Sequence, residues 1–138
     1  MTTESTFDVE KLRFILEHDN HDTRAALKEL FKDKLYTPRY AISLEEERQL
    51  AYERLKKICE GRHISVTDFK TNPHRIFSVH EAVGMVDGAT ATKMTVQFNL
   101  FGGTLLKLGT DKHHDKYIDE IDQFKSVGCF GLTELGYG

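Results

Sequence analysis

The stretch that decides the fold runs from residue 89 to residue 108 and reads ATATKMTVQFNLFGGTLLKL. Small and apolar side chains occur on nearly every side of it, and Lys93 is its only charge before Lys107. A helix without a polar face has to be surrounded by other elements of the protein. The sequence therefore predicts a central helix from Ala89 to Leu108 within a mainly α-helical domain.

The pair Gly102-Gly103 lies inside this predicted helix. Each glycine costs a helix about 1 kcal/mol relative to alanine, so a close approach is expected at this point. Packing of another helix is the simpler explanation, and a bound ligand is the alternative.

Helices are also predicted before the central stretch. Residues 9–17 carry apolar residues at helical spacing behind Asp8, which is placed as a cap, and a second helix follows Asp22 and must end before Pro38. Ser43 and Glu46 have the spacing of a capping box and start a helix over residues 44–59. Gly61 stands where a left-handed C-cap residue is expected.

Further helix starts surround the central stretch. The spacing of Ser65 and Asp68 predicts a short helix that ends near residue 72. Asn72-Pro73 then opens a helix over residues 73–86, for which the inward residues are predicted to be Ile76, Phe77, Val79 and Val83. Asp87-Gly88 interrupts it. After Gly109, Thr110 caps a helix that contains Tyr117, Ile118 and Ile121.

The last part of the chain has a different pattern. Residues 127–132 are short and apolar with Gly128 and Gly131 inside, which is more typical of a short strand or an extended segment than of a helix.

Composition excludes several classes of protein. At 138 residues the chain is one domain's worth, and its net charge of −3 with acids and bases mixed along its length offers no basic face for nucleic acid. The longest apolar-leaning stretch is too short and too polar to span a membrane. The first residues lack an import signal. Cys59 and Cys129 suggest no disulfide framework, so a reducing intracellular compartment fits best.

No catalytic or metal-binding constellation emerges from the residues themselves. The seven histidines do not occur in an HExxH or His-x3-His arrangement, so no metal site is predicted and surface or capping roles are favoured. His113-His114 points in two directions, and at most one ring faces a partner site. The cysteines have no His-plus-Asn signature.

The run GCFGLTELGYG over residues 128–138 resembles the acyl-CoA oxidase and dehydrogenase superfamily, whose members carry an aromatic, small, apolar, Thr-Glu run. It follows a small-residue apolar helix ending Leu108-Gly109-Thr110 and a polar stretch with Tyr117, in the family's order. Dehydrogenases of this superfamily usually have proline after Thr-Glu, whereas oxidases more often have an apolar residue and Gly-x-Gly, as in residues 135–138. Tyr137 departs from the histidine common in oxidases.

The resemblance implies an N-terminal helical domain over residues 1–126 and the start of a middle β-domain over residues 127–138. It implies a parent flavoenzyme that oxidises fatty acyl-CoA to trans-2-enoyl-CoA with oxygen as electron acceptor in fatty acid β-oxidation. Such a parent is expected to be a homo-oligomer, dimer or tetramer, in the peroxisome or alternatively in the mitochondrion. The catalytic base lies outside this chain, Glu134 is not that base, and the chain alone is expected to be inactive.

The same resemblance implies two sets of site residues. The flavin adenine dinucleotide (FAD) cofactor would lie along the terminal run, against Phe130, Gly131, Leu132, Thr133 and Gly136. The fatty acyl chain would pass beside the central helix, against Thr92, Lys93, Val96, Gln97 and Leu100.

Two other functions stay open at this stage. One is an acyl-CoA dehydrogenase that passes electrons to an electron-transfer flavoprotein, and the other is a non-enzymatic helical interaction module.

Overall fold

The computed structural model of the protein describes residues 6–136, and the helices follow one another closely along that part of the chain. They are α1 Val9–Leu16, α2 His21–Leu30, a 3-10 turn Lys34–Tyr36, α3 Leu44–Glu60, α4 Asp68–Thr71, α5 Pro73–Val86, α6 Gly88–Met94, a π-helical segment Thr95–Gly102, α7 Gly103–Leu108 and α8 Asp111–Asp122. Met1 to Ser5, Tyr137 and Gly138 lie outside the described residues, so the last two residues of the terminal run are not placed.

The predicted mainly α-helical fold is confirmed, and local capping explains most helix starts. Asp8 accepts a hydrogen bond from the Lys11 N–H, and Ser43 with Glu46 forms a reciprocal capping box. Asn72 caps α5 with proline at its first position. Each of these signals lies within four residues of sequence, which is why the helix starts were predictable.

The central helix is formed by α6, the π segment and α7, which run on without a break in helical backbone from Gly88 to Leu108. It packs against α3, α5 and α8, while α2 packs on the other side of α5. The core between these helices is apolar and fully enclosed, with Leu27, Leu55, Ile58, Val79, Val83, Met94, Phe98 and Ile121 at its centre. The predicted central helix is therefore observed, but it is not surrounded on every side, because Thr92, Leu100 and Leu108 are exposed.

Gly102 explains why glycine is needed in the middle of that helix. A Cβ atom added there would lie 2.6 Å from Cγ2 of Val66, which is closer than side chains approach one another. The close approach predicted at Gly102-Gly103 is thus packing by the segment before α4 at Gly102, whereas a Cβ at Gly103 would make only ordinary contacts.

Two predictions about individual residues were wrong. Gly61 ends α3 with an ordinary right-handed backbone, and the left-handed residue is Arg62, with φ 51°. A Cβ at 61 would lie 2.4 Å from Nε2 of His63, so any other residue there would require the His63 ring to move. Phe77 was predicted to face inward but is 69% exposed. At 100° per residue, Phe77 points well away from the face that Ile76, Val79 and Val83 share.

The segment after α8 forms no strand within the described residues. A strand needs a second strand to satisfy its backbone groups, and the rest of the described chain is helical. Residues 127–134 therefore have no regular secondary structure, and the predicted alternative of a short strand is not formed among the described residues. Among the helices of residues 6–136, none combines the length and apolarity that crossing a bilayer requires.

The pH dependence of stability should reflect His80. Its Nδ1 lies 2.8 Å from the Ile76 carbonyl, its Nε2 is buried without a hydrogen-bond partner, and burial lowers the pKa of the imidazole. A lowered pKa means that stability is fully present above pH 6.5 and is lost as the pH falls through the pKa of the folded state. We expect the urea midpoint to fall between pH 7.5 and about pH 5.

The matched variants separate His80 from an exposed histidine. His80→Leu should reduce the fall in urea midpoint at low pH. His113→Asn, which alters an exposed imidazole on α8, should leave that fall unchanged. An unaltered fall in His80→Leu would contradict the assignment.

Candidate functional site

A cavity of about 250 Å³ lies between α3 and the central helix and is covered by the segment after α8. Four of the five residues predicted for a substrate wall, Thr92, Lys93, Val96 and Gln97, line it. The fifth, Leu100, is not among the lining residues and is 38% exposed. The structure thus brings most of the predicted wall to one place and leaves one residue out.

Other parts of the chain complete the cavity. Tyr52 and Leu55 come from α3, and Phe124, Val127 and Gly128 come from the segment after α8. The rings of Tyr52 and Phe124 pack together, with their centres 5.1 Å apart. Sequence reasoning missed these residues, because nothing in the local pattern says which helix faces the central one. The cavity is mainly apolar, and the Lys93 ammonium is its one formal charge.

The π-helical backbone of Thr95–Gly102 was not predicted. In a π-helix the N–H bonds to the carbonyl five residues back, so residues four apart no longer stack as they do in an α-helix. Val96 and Gln97 belong to this segment and line the cavity. π-helical turns are frequent at functional sites.

Gln97 joins the central helix to the covering segment. Its side chain is buried, and Nε2 donates to the carbonyl oxygens of Ser126, at 2.8 Å, and Ile121, at 3.3 Å. Its Oε1 accepts the N–H of Gly128 at 3.1 Å. Because the amide is fully engaged by backbone, Gln97 offers the cavity its aliphatic stem and fixes the position of residues 126–128.

Gly128 lies against the ring of Phe101. A Cβ added at 128 would lie 2.0 Å from Cδ1 of that ring, so any other residue would require the Phe101 ring or the segment to shift. This glycine is therefore explained by its close packing against the ring.

The residues predicted to contact FAD lie beyond this point and are exposed. Phe130 is 40% exposed and Leu132 74%, while Gly131, Thr133 and Gly136 also face outward. A Cβ added at Gly131 or Gly136 would meet no atom within 4 Å, and Gly136 has φ +98°. The run therefore has open space beside accessible backbone, and such an arrangement allows a flat ring to approach. It follows directly after the segment that covers the cavity.

The buried thiol of Cys59 is not suited to act as a nucleophile. Burial raises the pKa of Cys59 to about 12, so it stays protonated at neutral pH. At the start of α8, Nδ1 of His113 accepts a hydrogen bond from the backbone N–H of Thr110. Nε2 of His114 lies 2.9 Å from the carbonyl oxygen of Leu105. Both neighbouring histidines therefore have structural partners.

Comparison with known proteins identifies relatives along most of the chain. It is 36% identical to acyl-coenzyme A oxidase 2, peroxisomal, of Arabidopsis thaliana over 134 residues, which covers 94% of the chain and 19% of that protein. It is 33% identical to the human peroxisomal acyl-coenzyme A oxidase 3 over 102 residues, which cover 74% of the chain and 14% of that protein. An acyl-coenzyme A oxidase of Caenorhabditis elegans is 28% identical over a stretch that covers 97% of the chain and 20% of that protein.

No protein-family model and no solved structure matches the chain. The chain spans about a fifth of the length of the curated relatives it matches. Since these relatives are named acyl-CoA oxidases and the terminal run has the oxidase form, Leu135-Gly136, where dehydrogenases have proline, the chain belongs to the acyl-CoA oxidase family.

Proposed function

We propose that this chain supplies the helical wall of the acyl-binding site in an acyl-CoA oxidase. The supporting observation is the apolar cavity beside the central helix, lined by Thr92, Lys93 and Val96 and covered by the segment that leads to the terminal run. Residues 1–126 form the helical domain, and residues 127–138 begin a further, β-type domain. The remaining four-fifths of the relatives' length would supply the catalytic base and most of the flavin site.

The cofactor of this enzyme is proposed to be FAD, held in part by Phe130 to Thr133 and by Gly136. When bound, the flavin supplies the acceptor for the hydride from the acyl group and passes the electrons to oxygen. The chain's own contributions are simpler. The Thr133 hydroxyl and the backbone around Gly131 are exposed and free to hydrogen-bond a polar ring edge. The cavity walls exclude water from an acyl chain and hold it in one direction.

Substrate and location follow the same proposal. The substrate is a fatty acyl-CoA, the product a trans-2-enoyl-CoA, and the enzyme a peroxisomal homo-oligomer. The chain by itself is inactive, because no residue in it is assigned to proton abstraction.

The function is tested on the protein that joins this chain to the remaining length of its relatives. That protein should purify with a yellow flavin, which acyl-CoA should bleach without oxygen. In air the reduced enzyme should release hydrogen peroxide. Bleaching without peroxide would indicate a dehydrogenase, whereas absence of flavin would exclude the proposal.

The cavity makes a sharper prediction about substrate length. Val96→Phe should fill part of the lining and lower kcat/KM for long acyl chains by about tenfold or more, because each methylene that no longer fits a hydrophobic pocket costs about 1–3 kcal/mol. Leu100→Phe is the matched control, since Leu100 lies four residues along the same helix but outside the lining. Steady-state kinetics with short and long acyl-CoA would check this. Equal losses in the two variants would contradict a cavity-based selection.

A further inference from the structure

Three side chains with metal-ligating atoms meet where the loop between α1 and α2 contacts the first turn of α5. They are His18, Asp19 and His74, and one ligating atom of each lies within 4.8 Å of the others. Oδ2 of Asp19 is 3.5 Å from Nε2 of His18 and 3.3 Å from Nδ1 of His74. Sequence spacing did not predict this, because His74 lies on a different helix.

These distances fit a tetrahedral ion. Zinc binds imidazole nitrogen and carboxylate oxygen at about 2.1 Å, so two ligands at the tetrahedral angle are about 3.4 Å apart. Both distances from Asp19 Oδ2 are already close to that value. The ligating atoms of His18 and His74 lie within 4.8 Å of each other, so an ion is admitted by rotation of the exposed imidazoles toward that spacing.

The carboxylate is held so that one oxygen stays available. Oδ1 of Asp19 accepts from the Ser78 hydroxyl at 2.7 Å and from Nη2 of Arg24 at 3.1 Å. Ser78 and Arg24 are themselves buried, at 0% and 5% exposure. Hydrogen bonds of this kind orient the ligands of protein metal sites.

Charge does not oppose a cation. The positive charge of Arg24 is balanced by the carboxylate of Glu81, whose Oε2 lies 2.9 Å from Nη2 of Arg24. Arg24 therefore lies between two carboxylates, and the group of Asp19, Arg24 and Glu81 keeps one net negative charge. The two imidazoles are about two-thirds exposed, which leaves a path for an ion and room for water as a further ligand.

From this geometry we propose that His18, Asp19 and His74 bind a divalent transition-metal ion, with zinc as the representative. Two imidazoles and a carboxylate are borderline ligands that suit zinc, nickel, cobalt and copper over magnesium or calcium. The ion would tie the loop before α2 to the start of α5, and would thereby stabilise the folded chain by mass action.

The test is a zinc titration of the chelator-treated chain by calorimetry, with thermal unfolding measured in parallel. We expect one zinc ion per chain and a raised Tm. His18→Ala and His74→Ala should each weaken binding by at least about tenfold, as the loss of even an outer partner of a metal ligand does. Both imidazoles are mostly exposed, so the variants should keep the fold, as circular dichroism would verify.

The control is His113→Asn, which removes an exposed imidazole on α8 and should bind zinc as the unaltered chain does. Cobalt in place of zinc should give the intense visible absorption of a four-coordinate ion, and His74→Ala should abolish it. The proposal is overturned if the unaltered chain shows no saturable zinc binding, or if His74→Ala binds zinc as tightly.

Discussion

Arg54→Met is expected to lower the free energy of unfolding by about 3–5 kcal/mol, the range found when one partner of a buried ion pair is removed. Arg54 is 5% exposed. Its Nη1 lies 2.9 Å from Oδ2 of Asp87, and it also donates to the carbonyls of Leu35 and Thr37. Without it, a partly buried carboxylate and two carbonyl groups lose their partner together.

The effect should extend to the central helix. Asp87 accepts from the Ala89 N–H and from the Thr90 hydroxyl, so it caps α6 while it pairs with Arg54. Burial by itself would raise the pKa of Asp87, but the bonds from Thr90 and Arg54 lower it overall. A lowered carboxylate pKa contributes stability above pH 3.8 that is lost as the pH falls through the folded-state pKa.

Chemical denaturation of Arg54→Met at neutral pH measures this effect. The control is Arg48→Met on the same helix, whose side chain is 61% exposed and 3.8 Å from Glu45. Such a surface pair contributes about 0–1 kcal/mol, so little change is expected there. Arg54→Met combined with Asp87→Asn should recover part of the loss. Equal small changes in Arg54→Met and Arg48→Met would contradict the buried pair.

Gln97→Leu is expected to lower the free energy of unfolding by about 1–3 kcal/mol and to release the covering segment. Leucine fills a similar volume but leaves the Ser126 carbonyl and the Gly128 N–H without their partner, and an unsatisfied buried group costs about 1–3 kcal/mol. Residues 126–128 would then move toward water to satisfy those groups.

Denaturant unfolding and amide hydrogen exchange separate the two consequences. In Gln97→Leu the Gly128 N–H should exchange faster with solvent. The amides in α3 should exchange only as much faster as the lower free energy of global unfolding requires. Gln49→Leu on the exposed side of α3, where the amide bonds only to Glu53, should change neither. Unchanged exchange at Gly128 would show that Gln97 does not hold the segment. In the full enzyme the same variant should weaken flavin retention, if the terminal run holds the cofactor.

Helix starts were predictable because their signals are local. Asp8, the Ser43–Glu46 pair and Asn72-Pro73 satisfy backbone N–H groups within one turn, so no distant residue is needed to define them. The central helix was predictable because a stretch without a polar side packs against other elements, although Leu100 and Leu108 of this helix remain exposed.

The candidate site was predictable only in part. Thr92, Lys93 and Val96 were assigned from the resemblance, and the structure places them on one cavity. Leu100 was assigned with them, but it lies outside the lining within a segment that includes π-helical turns. Periodicity assumes 100° per residue, and such turns change that angle without a sign in the amino-acid pattern.

By itself, the sequence determined the helical class, the helix starts at Asp8, Ser43 and Asn72, the presence of the central helix and the family to which the terminal run belongs. Only the tertiary structure decided that Phe77 is exposed, that Gln97 and Arg54 bind backbone from other parts of the chain, and that His18, Asp19 and His74 meet. These features depend on contacts between residues tens of positions apart, and such contacts are set by how the helices pack. Local capping and periodicity carry no information about that packing.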